Sequence, residues 1–206
     1  MSHSLARFLS VIFHPLLLPT YLFAFLFYYL PAPVLSLPVK ARWIVLSLIF
    51  FTTFIIPGLG AYTMVRTGHV DTLEMSRREQ RSLPLLFTGV CYAVTAYLLQ
   101  RENIFDRLFF VIMVILATSV FLTFLISLFW KISAHSVGMG GALGLLLVLS
   151  RLSPDTYMVP PLAMCIFVAG AVLSARLSLH VHTPAQVYAG FGSGLLLALA
   201  AAGLAL

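Results

Sequence analysis

Two short polar islands interrupt a chain that is otherwise almost continuous hydrocarbon. One is Lys131-Ile132-Ser133-Ala134-His135-Ser136, and the other runs from Ser174 and Arg176 through His180 and His182 to Thr183 and Gln186. A third cluster, Arg77, Arg78 and Arg81, leads into Ser82-Leu83-Pro84. Cations and imidazoles placed beside lipid are costly, which invites a functional account of them. The set suits phosphate. Guanidinium groups grip phosphate oxygens bidentately, a lysine adds a point charge, and both neutralise charge that shifts during phosphoryl transfer. Imidazole attacks phosphorus when neutral and protonates a leaving oxygen when charged, so two histidines supply both halves of such a reaction. No cofactor and no metal ion is required.

The elements that must position these residues are membrane helices. With 61% hydrophobic and 9% charged residues, the 206-residue chain lacks the polar surface of a water-soluble protein. Seven apolar runs approach the roughly 20 residues needed to cross hydrocarbon. They lie near Phe8 to Leu30, Trp43 to Val65, Leu85 to Leu99, Leu108 to Trp130, Val137 to Ser150, Tyr157 to Ala175 and Pro184 to Leu206. The third and fifth are short, so six to seven crossings are expected. The dyad alternation of a membrane barrel is missing, and the expected fold class is all-α, a polytopic transmembrane helical bundle. No soluble insert divides it, which predicts one integral membrane domain over residues 1–206. The first apolar run is too long for a signal peptide and reads as a retained anchor. Cys91 and Cys165 fall inside spans and imply no disulfide framework.

The formal net charge of +6 comes from basic residues scattered at span ends, which points to lipid headgroups or phosphate and away from nucleic acid. If all seven runs cross, the segments Arg66 to Pro84, Lys131 to Ser136 and Arg176 to Gln186 share one side. The opposite side receives Lys40, Arg42, Arg101, Glu102, Asp106, Arg107, Arg151 and Asp155, without histidine and of mixed sign. The connections containing Pro31, Pro33 and Pro38, Arg101 to Arg107, and Ser153 to Asp155 read as plain turns.

The islands resemble the motifs of the type 2 phosphatidic acid phosphatase superfamily of membrane lipid phosphatases, whose site is related to that of vanadium haloperoxidases. That family has a Lys/Arg-rich first motif ending in Arg-Pro. A central Pro-Ser-Gly-His follows, then a final Ser-Arg, five residues, His, three residues and Asp. Ser133-Ala134-His135 is similar to the second, with Ile132 and Ala134 in place of Pro and Gly. Arg176, five residues, then His182 reproduces the last spacing, and Val187 and Gly190 continue its small-residue pattern. Arg81, with Arg78 beside it, stands for the first motif, without its Arg-Pro pair. The resemblance covers a phosphatase-like core over about residues 66–206. It implies that His182 is the nucleophile, His135 the leaving-group acid, and Lys131, Arg78, Arg81 and Arg176 the phosphate clamp, with hydrogen bonds from Ser133. It implies a lipid phosphate or polyprenyl diphosphate substrate in the cell (inner) membrane. Where the family has its final Asp this chain has Gln186, one helical turn beyond His182. Gln accepts the same hydrogen bond without charge, so Asp71, Glu74 or Glu79 is a possible source of the carboxylate.

Competing readings attach to the same residues. A non-catalytic lipid-phosphate binder or scaffold keeps the cationic pocket and loses turnover with the carboxylate. A small transporter is disfavoured by the lack of an inverted repeat. Arg176 with His182 also suits a structural hydrogen-bonded pair, His135 an interfacial residue capped by Ser133, and the basic cluster simple headgroup binding. His180 and His182 face different ways on a helix and lack further metal ligands. His14 and His69 receive no role. Gly138, Gly140, Gly141, Gly144, Gly190, Gly192 and Gly194 are spaced for close helix approach.

Overall fold

The computed structural model describes residues 1–30, 37–75, 77–101, 105–154 and 157–205, with side chains through residue 201, and these are almost wholly helical. Pro31, Pro33, Glu102 and Asp155 lie outside the described residues. The first span is broken into α1 (His3–Ile12) and α2 (Leu18–Tyr29) by a single 3-10 turn, Pro15–Leu17. Pro15 cannot donate the amide that a continuous helix needs, and the Nδ1 of His14 caps the turn by accepting the Leu16 N–H at 3.3 Å. In the second span, α3 (Val39–Phe50) passes through a π turn, Phe51–Ile55, into α4 (Ile56–Arg66). Pro57 withholds the amide due to the Thr53 carbonyl, so the ladder widens there. The remaining helices are α5 (Ser82–Arg101), α6 (Arg107–Ser127), α7 (Ala134–Leu152), α8 (Val159–Ser178) and α9 (Pro184–Ala205).

Seven helical stretches among the described residues are long and apolar enough to cross a membrane. The two short apolar runs belong to longer helices, Arg78–Arg101 of 24 residues and Ala134–Leu152 of 19. At 1.5 Å per residue the shorter reaches about 28 Å, close to the thickness of the hydrocarbon. Their capping turns carry polar residues, which is why hydropathy alone shortens them.

A buried aromatic and aliphatic core joins α2, α5, α6 and α7. Phe109 meets Phe23 and Phe27 edge-on at centroid separations of 5.7 and 5.2 Å, surrounded by Tyr92, Ile112, Ile115, Leu145 and Leu149. A second contact is made by backbone. The longest helix pairing is α7 along α9, and glycine makes it close. A Cβ at Gly140 would lie 2.0 Å from the Phe191 carbonyl oxygen, and one at Gly194 the same distance from that of Val137. At Gly144 and Gly190 it would come within 2.9 Å of the carbonyls of Leu195 and Ser133. Gly192 faces open space, and Gly138 meets only the Leu18 side chain. In lipid, where apolar burial hardly drives helices together, such close approach supplies van der Waals attraction. Its result is local: the starts of α7 and α9 touch, and the Ser133 N–H donates to the Gln186 carbonyl at 3.3 Å.

Candidate functional site

Three links between spans meet around those helix starts. Arg81, in the turn before α5, donates from Nε to the Met75 carbonyl at 3.1 Å and from Nη1 to the Ile132 carbonyl at 3.0 Å. Arg78 donates from Nη1 to the Phe129 carbonyl at 2.7 Å. The segment entering α5 is thereby fastened to the one between α6 and α7, which Ser133 fastens in turn to α9. The three polar segments expected on one side are thus joined by hydrogen bonds.

The start of α9 is a capping box. In Thr183-Pro184-Ala185-Gln186 the Thr183 Oγ1 accepts the Gln186 N–H at 3.4 Å, and Gln186 Oε1 accepts the Thr183 N–H at 3.2 Å. Pro184 opens the helix, where its missing amide costs nothing. The same Oε1 lies 3.0 Å from His182 Nδ1. A backbone N–H can only donate, so the atom facing Thr183 is the amide oxygen. An oxygen can only accept here, so Nδ1 of neutral His182 carries the proton. Its Nε2 therefore bears the lone pair, the form a nucleophile requires.

Cations surround this imidazole. His182 is 8% exposed. Its pKa is lowered to about 4, first by burial and then by the charge of Arg81, with smaller contributions from Arg176 and Lys131; the Gln186 hydrogen bond opposes them. The Lys131 ammonium is itself held below its usual range by burial and by Arg81 and Arg176. Among the described residues none of these three cations forms an ion pair; the carboxylates of Asp71 and Glu79 engage Arg77 and Arg78, at 2.8 and 3.3 Å. Arg176 Nε is buried without a hydrogen-bond partner among the described residues. A buried donor left unmet costs about 1–3 kcal/mol, which a bound water or an anion would relieve. An open depression of about 370 Å³ is lined by Lys131, His180, Val181, His182, Thr183 and Gln186. That volume accommodates a phosphate or diphosphate head.

No family model, curated protein or solved structure matches this chain. The geometry therefore stands by itself. It brings His182, Gln186, Arg81, Arg176 and Lys131 together. Other expected site residues are engaged elsewhere: Arg78 binds Phe129 and Glu79. Ser133 is fully buried, and its hydroxyl oxygen accepts from the Ser136 amide and hydroxyl at 3.4 and 2.9 Å as the cap of α7. His135 places Nε2 2.9 Å from the Ser10 carbonyl, to which it donates. Neither Asp71, Glu74 nor Glu79 is hydrogen-bonded to His182, whose Nδ1 partner is Gln186.

Ser10 and His14, in the first span, join the site without having been expected there. Ser10 is buried; its hydroxyl accepts from Arg176 Nη1 at 3.2 Å while its carbonyl accepts from His135. His14 packs edge-on against His135, with ring centroids 5.5 Å apart. The available signal was His14-Pro15, a polar break inside an apolar run. Ser10→Ala leaves Arg176 without the contact that aims it while keeping the His135 bond to backbone. Affinity for inorganic phosphate, measured by competitive inhibition or calorimetry, is expected to fall about three- to tenfold, the equivalent of one hydrogen bond. Unchanged affinity would mean that the serine does not hold the guanidinium in a binding pose.

Proposed function

We propose that this chain is a membrane-embedded phosphatase acting on a lipid phosphate or lipid diphosphate through a phosphohistidine at His182. One observation carries the reading: the His182 imidazole, its Nδ1 tied to Gln186, lies among three cations that form no salt bridge among the described residues, Glu74 acting on Arg176 only through its charge. The resemblance of the Arg176-to-His182 spacing to the lipid phosphatase motif supports the same assignment. The site lies at helix starts on one side of the bundle, a depth that suits a headgroup whose tail stays in the bilayer, and the cell (inner) membrane is the proposed location.

The reaction divides into two displacements. Nε2 of His182 forms a bond to phosphorus as the bond to the lipid oxygen breaks, and that oxygen takes up a proton. Water then attacks phosphorus, the N–P bond breaks, and its electron pair returns to the imidazole. Arg81, Arg176 and Lys131 neutralise the phosphoryl oxygens in both steps, where such electrostatic stabilisation usually supplies the largest single contribution.

Purified protein in detergent is expected to release phosphate from phosphatidic acid, phosphatidylglycerol phosphate or a polyprenyl diphosphate. An acid-labile phosphoryl label should be trapped on wild type and be absent from His182→Ala. Equal release by the two proteins would refute the reading. The uncharged Gln186 favours a second one, a lipid-phosphate binder without turnover, whose signature is tight retention of these lipids with no release by wild type.

A further inference from the structure

We infer that His180, rather than His135, gives the proton to the leaving lipid oxygen. The assignment rests on the phosphatase reading above and names a further catalytic residue for that reaction. His135 is a poor donor as placed, because its Nε2 proton is already directed at the Ser10 carbonyl and it does not line the depression. His180 does line it, together with His182, Lys131 and Gln186, and is exposed.

The backbone at His180 adds an independent reason. Its φ of 53° lies in the left-handed region, and its N–H closes a turn on the Leu177 carbonyl at 3.0 Å, just past the end of α8. Glycine is the usual residue at that post-helical position, since a side chain there is strained. Closing the helix accounts for the backbone shape but not for an imidazole on it. Strain kept at a pocket is a recognised mark of a positioned functional group.

The distances suit the chemistry. His180 and His182 are separated by one residue, so their Cα atoms are at most about 7 Å apart, and the link between α8 and α9 presents both to one depression. A phosphoryl group bound between them would meet Nε2 of His182 on one side and the His180 imidazolium on the other. As the N–P bond forms, the P–O bond breaks and its electron pair takes the His180 proton, releasing the lipid alcohol. In the second step the attacking water gives a proton back to neutral His180 as the N–P bond breaks, releasing inorganic phosphate and restoring both imidazoles. The sum is phosphate ester plus water giving alcohol plus phosphate.

The test uses the full chain in detergent and compares first-turnover rates on two esters. Nitrophenyl phosphate expels an anion that needs no proton, whereas an alkyl or diacylglycerol phosphate expels an alkoxide that does. In His180→Asn, which suits the left-handed backbone, the ratio of alkyl to nitrophenyl rate is expected to fall about 10²- to 10⁴-fold, the usual contribution of a positioned acid. Added imidazole should restore part of the alkyl rate. His135→Gln and Lys131→Met are expected to lower both rates together. An unchanged ratio in His180→Asn, or a selective loss in either other variant, would overturn the assignment while leaving phosphohistidine formation at His182 intact. If wild type cleaves neither ester, the phosphatase reading fails and this one with it.

Discussion

Replacing Gln186 by Glu is expected to raise both the rate of phosphate release and the pH at which it falls away. Glu has the length of Gln, so one carboxylate can still accept from Thr183 N–H and from His182 Nδ1, the two contacts Oε1 makes now. What changes is charge. In the wild type the His182 pKa is held at about 4, mainly by burial and Arg81, so the acid limb of kcat/KM should fall near that pH. A carboxylate at hydrogen-bond distance raises such a pKa by about 1–3 units, moving the limb to roughly pH 5–7. Each unit is worth about tenfold if wholly expressed in the transition state, so release above the limb should increase about ten- to thousandfold. The limb moves upward because the anion stabilises the protonated ring. A pH profile of both proteins decides the matter, and a limb that stays in place would show that Gln186 does not govern the imidazole. Gln186→Leu, which removes both cap and tautomer control, should lower the rate.

Stability follows the same sign. The folded His182 has a pKa below the 6.5 of an unfolded histidine, so the unfolded chain binds the proton more readily between those values. Its contribution to stability is present in full above pH 6.5 and is lost as the pH falls towards 4.

The second large effect concerns the α7–α9 seam. Gly194→Ala would put a methyl carbon 2.0 Å from a backbone oxygen, which no side-chain rotation relieves. The helices must part, at an expected cost of about 1–3 kcal/mol, as for other overpacked sites. For a chain of this size that is about 2–12 °C in thermal midpoint. The bond from Ser133 to Gln186 should weaken with it, loosening phosphate binding as well. Gly192→Ala, two positions away and facing open space, removes only a flexible residue from a helix and should leave the midpoint unchanged or raised by a few degrees. Equal loss in both variants would mean that the close contact at Gly194 does not set the stability.

Membrane architecture was legible because hydropathy reports directly on helices that face lipid. Arg176 and His182 were legible as a pair because they are close in sequence, one in the last turn of α8 and the other in the short link to α9. The roles of Ser133 and His135 were harder to read, since a serine that caps a helix and one that meets a ligand have the same sequence signature. Their surroundings depend on packing between α7 and residues far away in the chain. Thr183-Pro184-Ala185-Gln186 could have been read as a capping box, and that pattern would have shown why an amide at position 186 can hold the imidazole. Ser10 left no comparable signal, being a small hydroxyl in an amphipathic helix.

Ser10 also sets a condition on biosynthesis. Its two partners, His135 and Arg176, are 125 and 166 positions later in the chain. The first helix therefore enters the bilayer long before the groups that it binds have been made. A ribosome-bound chain stopped before α8 should leave the Ser10 hydroxyl without Arg176, and anion binding should appear only once α9 has joined the bundle.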